Sequence, residues 1–421
     1  GDPRNGILPI ADPFPVRPTT GDRYESVLGN ALGLDTMLGR AYSAENPNRT
    51  HSRVQRWRLA WQREIASRTA LEVAYSGSYA DRQGITIRED FLPEQYWSDA
   101  DFRDTSANNY LTQNVPNPFH ISNFASLQTI DPPLYQRLLG STVFTSTTIP
   151  RHRLLRAFPH MSTGAGLTSL DQPLGVIKAH SFEIVLNQRY ANGLSGHAAF
   201  SMNRVTGNRT VEEYERAPTL WETNNNGRPW RVTAVGLYDL PFGPGRRFLD
   251  NGGVLAALAG GWSLSGTFEY QPGALLTWNM PFGRENNLFF SGDLADIKKD
   301  KPEIALLPHG TFDPTKTCFK IDPGFVRATA DQPAAFQKRA FPFRVDGVRG
   351  DSLSMLNATV ARTFNLGGSR TVQFRLDAQN VLNRQHYGNP ILDPTSTNFG
   401  QIRTVNNTVM RFFTFNTTVR F

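Results

Sequence analysis

The sequence lacks any run of about 20 apolar residues, so it contains no candidate for a membrane-spanning helix. The nearest approach, "GGVLAALAGG" at Gly252 to Gly261, is too short. There is a single cysteine, Cys318, which excludes an intramolecular disulfide framework and a cysteine-based zinc site. Only 19% of the residues are charged, and the Ala/Glu/Lys/Leu mixture that favours helices is scarce.

What the chain does contain is typical of strands and turns. It has 35 Gly, 28 Pro, 28 Phe, 12 Tyr and 7 Trp in 421 residues. The stretch "TVQFRLDAQN" shows the underlying pattern, because Val372, Phe374 and Leu376 alternate with polar residues. Such a strand fits a soluble sandwich, in which the apolar face meets a core. It equally fits an outer-membrane barrel, in which that face meets lipid and the polar face meets a wet lumen.

The connections between strands distinguish the two alternatives. About nine strands of ~10 residues can be counted, the length that a tilted membrane strand needs. Long connections, including 80–175 and 280–350, alternate with short turns. A soluble sandwich has no reason to place its long loops at one end, whereas a barrel between two compartments does. We therefore predict an all-β fold, an antiparallel transmembrane β-barrel with long extracellular loops.

This prediction divides the chain into two segments. Residues 1–50 show no sustained period of two and are predicted to be an extracellular loop segment, and residues 51–421 to be the carboxy-terminal part of the barrel. Bacterial barrels of this kind have an even number of strands. Because an odd number is counted here, we expect further strands to precede this portion.

Charged side chains within the predicted strands fall almost entirely on the polar faces. A charge that faces lipid at the bilayer midplane costs ~2–4 kcal/mol, which explains such segregation. Only Arg63 and Arg362 lie on apolar faces, near predicted short turns, where a long side chain can reach the headgroups. The candidates for lining the lumen are Arg56, Arg58, Glu72, Glu183, Arg189, Arg231, Asp239, Glu269, Arg375 and Asp377.

The last strand, "MRFFTFNTTVRF", is rich in phenylalanine. It places Phe413, Phe415, Val419 and Phe421 on one face. We predict that these four residues form the terminal signature of an outer-membrane barrel.

Enzyme and nucleic-acid motifs are missing from the sequence. The net charge of +7 comes from arginines that are spread along the chain and not clustered. The eight histidines form no HExxH or other close pair, and no G-x-S-x-G elbow occurs. We expect no enzyme activity, no cofactor, no metal site and no nucleic-acid partner.

Several segments also resemble a known family. The final strand, the hairpin "VARTFNLGGSRTVQFRLDAQNVLNRQHYGNP", the combination "YDLPFGPGRRF…GGWSLSGTFEYQPG" and "NVPNPF" are similar to the barrel of Oar-like TonB-dependent outer-membrane receptors. The similarity covers most of residues 51–421. It implies a barrel of about 22 strands around an amino-terminal plug, which an inner-membrane TonB-type energy complex acts on. This sequence contains neither the plug nor the coupling segment.

The expected function follows from this resemblance. The chain is predicted to be part of a receptor in the outer membrane of a Gram-negative bacterium that captures and imports an unknown ligand. Its expected partners are outer-membrane lipid, the plug and remaining barrel strands of the same protein, and the energy complex. An adhesive or structural surface protein without transport and a passive porin remain alternatives.

Overall fold

A computed structural model describes residues 37–162, 166–208, 210–223, 228–251, 253–299, 324–406 and 410–421. The predicted segment 1–50 therefore lies mostly outside the described residues. The strands are β1 (Tyr42–Ala44), β2 (Arg53–Ala66), β3 (Thr69–Arg88), β4 (Asn114–Pro116), β5 (Thr148–Pro150), β6 (Leu167–Ala191), β7 (Leu194–Asn208), β8 (Glu222–Thr223), β9 (Trp230–Asp239), β10 (Trp262–Gln271), β11 (Leu353–Asn365), β12 (Thr371–Gln379), β13 (His386–Tyr387), β14 (Val405–Asn406) and β15 (Phe412–Arg420).

One sheet organises the chain. Its hydrogen-bonded path runs β15-β12-β11-β10-β9-β7-β6-β3-β2, so the nine main strands pair with their neighbours in chain order. All pairs along this path are antiparallel. The predicted antiparallel β fold is thereby confirmed. The path ends at β2 and β15, so the sheet is open in the part of the chain described.

Two-residue turns join the strands wherever the sequence offers the right backbone chemistry. Asn192 and Gly193 link β6 to β7 with φ values of 52° and 83°. A type I′ turn needs positive φ at both central positions, which Asn-Gly adopts most easily. The alternating side chains of the two strands then fix the register, because a slip of one residue would exchange the polar and apolar faces.

The strands are longer than predicted on the loop side of the sheet. β3 has 20 residues and β6 has 25, against the ~10 that one crossing needs. As a result, Lys178 and Arg204 lie within strands, on the apolar face together with His180. These two charges lie outside the strand spans that the sequence predicts, so the apolar face carries charges besides Arg63 and Arg362 at its loop-side end.

The apolar belt between these ends has the height of a membrane. Along β6 it extends from His180 to the register shift that precedes Ala191. At a rise of ~3.3 Å per residue and a tilt of about 40°, this stretch is about 33 Å long and about 25 Å tall. Lys178 and Arg204 lie at the loop-side end of the belt, where a headgroup region is expected.

The long connections contain helices, which the alternation pattern of the sequence did not predict. They contain the helices α1 (Thr105–Thr112), α2 (Leu127–Ile130), α3 (Pro132–Leu139), α4 (Thr142–Thr145), α5 (Arg151–Leu154) and α7 (Leu294–Lys299), and a further helix, α6 (Val254–Ala259), lies at the turn end of the sheet. Asp104 and Asp131 cap α1 and α3 by accepting backbone N–H groups of Ala107 and Leu134 at 2.9 and 3.0 Å. The sequence contains both capping aspartates, but the proline-rich composition of this connection did not suggest helices.

Most large buried side chains belong to these connections. One cluster gathers Leu38, Leu127, Leu138 and Phe144 in the connection 89–166 and the segment before β2. There β1 pairs in parallel with Leu167–Ser169 of β6. The other main cluster joins 272–352 to 380–411 and is built from Leu276, Trp278, Leu288, Ile297, Phe325, Phe341, Val345, Val348, Phe399 and Ile402. We call the described residues of the connections 89–166, 209–229, 272–352 and 380–411 the loop cap.

Long and short connections do not alternate strictly. The connection 240–261 at the turn end is no shorter than the loop-side connection 209–229 and contains α6. Arg362 was expected to reach lipid headgroups, but its guanidinium donates to backbone carbonyls of Ala257 and Leu258 in α6. Arg63 does remain exposed on the apolar face, opposite Leu71.

Among the described residues, no helix combines the length and the apolar character needed to cross a membrane.

A glycine contact at the junction of β10 and the loop cap generates a stability prediction. A side chain on Gly273 would overlap the backbone carbonyl of Gly350. Because backbone cannot rotate away, we expect Gly273→Ala to destabilise the protein by about 1–3 kcal/mol. The measurement is thermal unfolding of the full-length protein in detergent, followed by the heat-dependent shift of the folded barrel on gels.

Gly236→Ala in β9 is the matched control, since its new methyl group meets nothing nearer than the Ser195 carbonyl at 3.9 Å. Equal midpoints for Gly273→Ala and wild type would contradict the packing described here.

Candidate functional site

The polar face of the sheet collects the charged residues that the sequence analysis singled out. Opposite residues in a ladder share a face, and one row joins Ala74, Glu183, Ser201 and Arg231 across β3, β6, β7 and β9. A neighbouring row joins Glu72 to Glu269 through Val185, Ala199 and Thr233. Arg375 lies opposite Ala361 of β11, whose own partner Ser263 faces Asp239.

Three ion pairs lie on this face. Arg58 contacts Glu72 at 2.6 Å, Arg231 contacts Glu269 at 3.0 Å, and Arg375 contacts Asp377 at 2.8 Å. The arginines are half exposed, so each pair contributes little stability, on the order of 0–1 kcal/mol. Their effect is to hold alternating charges in defined positions over a polar surface.

The Asp377 carboxylate is held most firmly of the charged groups on this face. Besides Arg375 it accepts hydrogen bonds from the Thr359 hydroxyl at 2.6 Å and the Asn416 amide at 3.1 Å. It therefore connects three adjacent strands, β11, β12 and β15. No pattern within a single strand could reveal this, because the partners lie on different strands.

The remaining candidates have other surroundings. Asp239 accepts from the Tyr190 hydroxyl at 2.7 Å and lies 3.6 Å from Arg246 at the turn end. Arg56 lines a cavity of 550 Å³ together with Arg58 and serines of β3 and β6. Glu183 and Arg189 form no ion pair with any other described residue. The ladders thus place all the candidates except Arg189 on one face, and their role as lumen lining stays a prediction.

Apolar residues also occur on the polar face, and two of them in β9 were not singled out from the sequence. Val235 lies opposite His197, and Leu237 lies opposite Ser195. Both are well exposed. Their odd positions in β9 would have revealed them, since Arg231 and Asp239 have the same parity.

The signature residues within β15 lie on the apolar face of the sheet, as predicted. Phe413, Phe415 and Val419 lie opposite Ala378, Leu376 and Val372, the apolar side of β12. Phe421, which follows β15, is 91% exposed. The function of these residues as a barrel-terminal signature stays a prediction.

Within the loop cap, ion pairs connect segments that are distant in the sequence. Glu213 accepts from Arg88 at 2.7 Å and from Arg284 at 2.7 and 3.0 Å. Glu212 accepts from Arg339 at 2.6 Å. These contacts join the connection 209–229 to the end of β3 and to the connection 272–352. Because the groups are largely buried, losing one partner would leave an uncompensated charge.

Burial changes the ionisation of several groups in the cap. It lowers the pKa of His152 to about 4, with help from Arg156 and Arg284, so this imidazole is neutral at physiological pH. It raises the pKa of Tyr214 to about 12. Burial and the adjoining Glu212 carboxylate raise the pKa of Glu285 to about 9. Glu285 therefore carries a proton under physiological conditions.

None of these groups forms a metal site: no cluster of three or more His, Cys, Asp or Glu side chains suited to a metal ion occurs in the described ranges. Cys318 and His309 lie outside those ranges.

An antiparallel sheet with one polar and one apolar face, and a folded cap at one end, is the arrangement expected of part of a membrane β-barrel. The comparison with known families agrees. The chain belongs to the family described as "Outer membrane beta barrel domain", which it matches over residues 2–414. It is therefore an outer-membrane protein of a Gram-negative bacterium, as predicted. No curated protein matches it.

Several solved outer-membrane proteins show partial structural similarity to this chain at low identity. The outer membrane transporter YddB from Escherichia coli has a TM-score of 0.37 and 11% identity, over 90% of this chain and 34% of that one. The ferripyoverdine receptor of the outer membrane of Pseudomonas aeruginosa has a TM-score of 0.33 and 8% identity, over 87% and 27%. The Pseudomonas putida toluene transporter TodX has a TM-score of 0.19 and 7% identity, over 88% and 61%. The chain thus spans about a third of the length of the first of these structures.

The ionisation of Glu285 generates a pH prediction for the loop cap. Its pKa is raised from 4.5 to about 9 in the folded cap, so its contribution to stability is complete below about pH 4.5 and is lost as the pH rises towards 9. Above about pH 9, an ionised Glu285 would face the carboxylates of Glu212 and Glu213. We expect hydrogen exchange of residues 279–292, corrected for intrinsic rate, to increase between pH 7 and 9.

Glu285→Gln should abolish this increase, because the amide cannot ionise. Glu94→Gln is the control, since Glu94 pairs with Lys338 at 2.8 Å on the exposed side of the cap. The same pH response in Glu285→Gln and wild type would show that another group controls the cap.

Proposed function

We propose that this chain is part of a TonB-dependent outer-membrane receptor of the Oar-like group, which captures a ligand and imports it across the outer membrane. The observation that carries the proposal is the collection of paired charges on one sheet face beneath a cap folded at one end only. A purely adhesive surface protein has no need for an ordered polar face within the depth of the membrane.

Each part of the structure has a role in this proposal. The loop cap captures the ligand on the outer surface, because its clusters and ion pairs hold the connections in a defined shape. The polar face lines the passage and contacts the plug, which is supplied by the rest of the protein. Energy comes from the inner-membrane complex, and the chain itself catalyses no reaction.

The experiment compares solute depletion by cells that contain or lack the full-length protein. The parent strain, a deletion strain and the parent treated with a protonophore are grown in one defined medium, and the medium is analysed by mass spectrometry. We expect at least one solute to be depleted only by untreated parent cells. Energy-independent depletion would indicate a passive porin, and loss of attachment without any change in depletion would indicate an adhesive protein.

Removal of the Arg231–Glu269 pair tests the passage itself. The double substitution Arg231→Ala, Glu269→Ala leaves no unpaired charge, so the barrel should fold, while uptake of the depleted solute should fall several-fold. Leu264→Ala on the apolar face of the neighbouring strand is the control and should leave uptake unchanged. Unchanged uptake in the double variant would contradict a passage along this face.

A further inference from the structure

Helix α6 lies against the apolar face of the sheet at its turn end. The register places Arg362 opposite Trp262, next to the pair Val360 and Leu264, so both side chains belong to the apolar face. The Arg362 guanidinium donates to the Leu258 carbonyl at 2.9 Å and also to that of Ala257. The indole N–H of Trp262 donates to the same Leu258 carbonyl at 3.0 Å. Hydrogen bonds from two side chains of the apolar face thus hold α6 against the sheet.

The contacts between Arg362 and α6 explain why a buried arginine is tolerated on the apolar face of the sheet. The Arg362 guanidinium lies 4.2 Å from the ring centre of Phe364 and 5.3 Å from that of Trp262. These aromatic faces attract the cation, and hydrogen bonds to the carbonyls at the carboxyl end of α6 stabilise it. Arg362 therefore does not need headgroup phosphates as partners.

The first residues of the connection 240–261 pack closely against the backbone that follows α6. A side chain on Gly260 would meet the Gly243 backbone at 3.1 Å, and Gly243 has a φ of 105°. The turn before the helix therefore lies directly against its carboxyl end. Among the helical residues, Ala256 is buried at 1% exposure. The helix consequently has one fixed inner side and one free outer side.

The outer side of α6 is strongly apolar. Val254, Leu255 and Leu258 are 75%, 70% and 62% exposed, and their spacing places them on one side of a helix. No described residue covers them. Exposed apolar clusters on a membrane protein mark contact with lipid or with another protein.

The flanking residues have the chemistry of a headgroup region. Phe248 and Leu249 are exposed beside Arg246 and Arg247, and the Arg247 guanidinium lies 5.4 Å from the Phe248 ring centre. Aromatic and basic residues of this kind are enriched where a membrane protein meets the interface. The apolar side of α6 is continuous with the apolar face of β10 and β11, which faces lipid in an outer-membrane barrel.

We propose that α6 is an interfacial helix that inserts Val254, Leu255 and Leu258 into the phospholipid leaflet at the turn end of the barrel, with Arg362 as the positioning residue that holds it there. The occupant of this surface is a phospholipid bilayer, whose acyl chains contact the three apolar residues and whose anionic phosphates lie near Arg247. The inference is independent of the proposed transport, because it concerns only how this end of the barrel meets the membrane.

The test measures where α6 lies in a bilayer. The full-length protein, with Cys318 and any other cysteine replaced by serine, is labelled with a nitroxide at Leu255→Cys and reconstituted in phosphatidylethanolamine and phosphatidylglycerol vesicles. Collision rates with oxygen, which concentrates in lipid, and with a water-soluble nickel chelate are then compared. Phe374→Cys on the apolar face of β12 is the lipid reference, and Asp250→Cys in the turn is the aqueous reference.

We expect the oxygen-to-nickel ratio at position 255 to exceed that at 250 several-fold and to approach that at 374. A ratio at 255 equal to that at 250 would overturn the proposal, because it would show that the outer side of α6 lies in water. In the same labelled protein, Arg362→Ala should increase nitroxide mobility at 255 while leaving it unchanged at 374. Unchanged mobility at both positions would show that Arg362 does not position the helix.

Discussion

The constraint on which this structure depends is that lipid supplies no hydrogen-bond partners for the backbone. Each N–H and C=O inside the membrane must therefore be satisfied by a neighbouring strand. Between the outer strands β2 and β15, the chain meets this requirement because its nine main strands pair in sequence order. Once the ladders are formed, side chains can only alternate between two faces, and the contrast between lipid and a polar interior assigns each face its composition.

This assignment moves the buried apolar core away from the sheet. Side chains such as Phe374 and Leu376 remain exposed on the protein surface because lipid is their solvent. Burial among protein atoms occurs instead in the loop cap, where Trp278 and Phe144 are almost inaccessible. The cap lies in water, so it needs a hydrophobic core of its own to remain folded. It also contains the buried pairs around Glu213, which fix connections that are distant in sequence.

The fold separates three tasks by position. Paired charges lie on one face of the strands, the shape of the outer surface depends on the cap, and the contact with the opposite leaflet involves α6. Arg362 shows how these parts interact, since it occupies a strand position but its hydrogen bonds go to a helix in another connection. Its placement on the apolar face is understandable only when that helix is present.

The amino-acid sequence by itself determined the strands, their facing and the class of protein, because alternation is a local property that each strand displays alone. Arg58, Glu72, Arg231 and Glu269 could be assigned to one face for this reason. Their pairing, the three-strand contacts of Asp377 and the helices of the loop cap were decided only by the tertiary structure. These features depend on register and on packing between distant segments, and the same is true of the raised pKa of Glu285, which arises from burial beside Glu212.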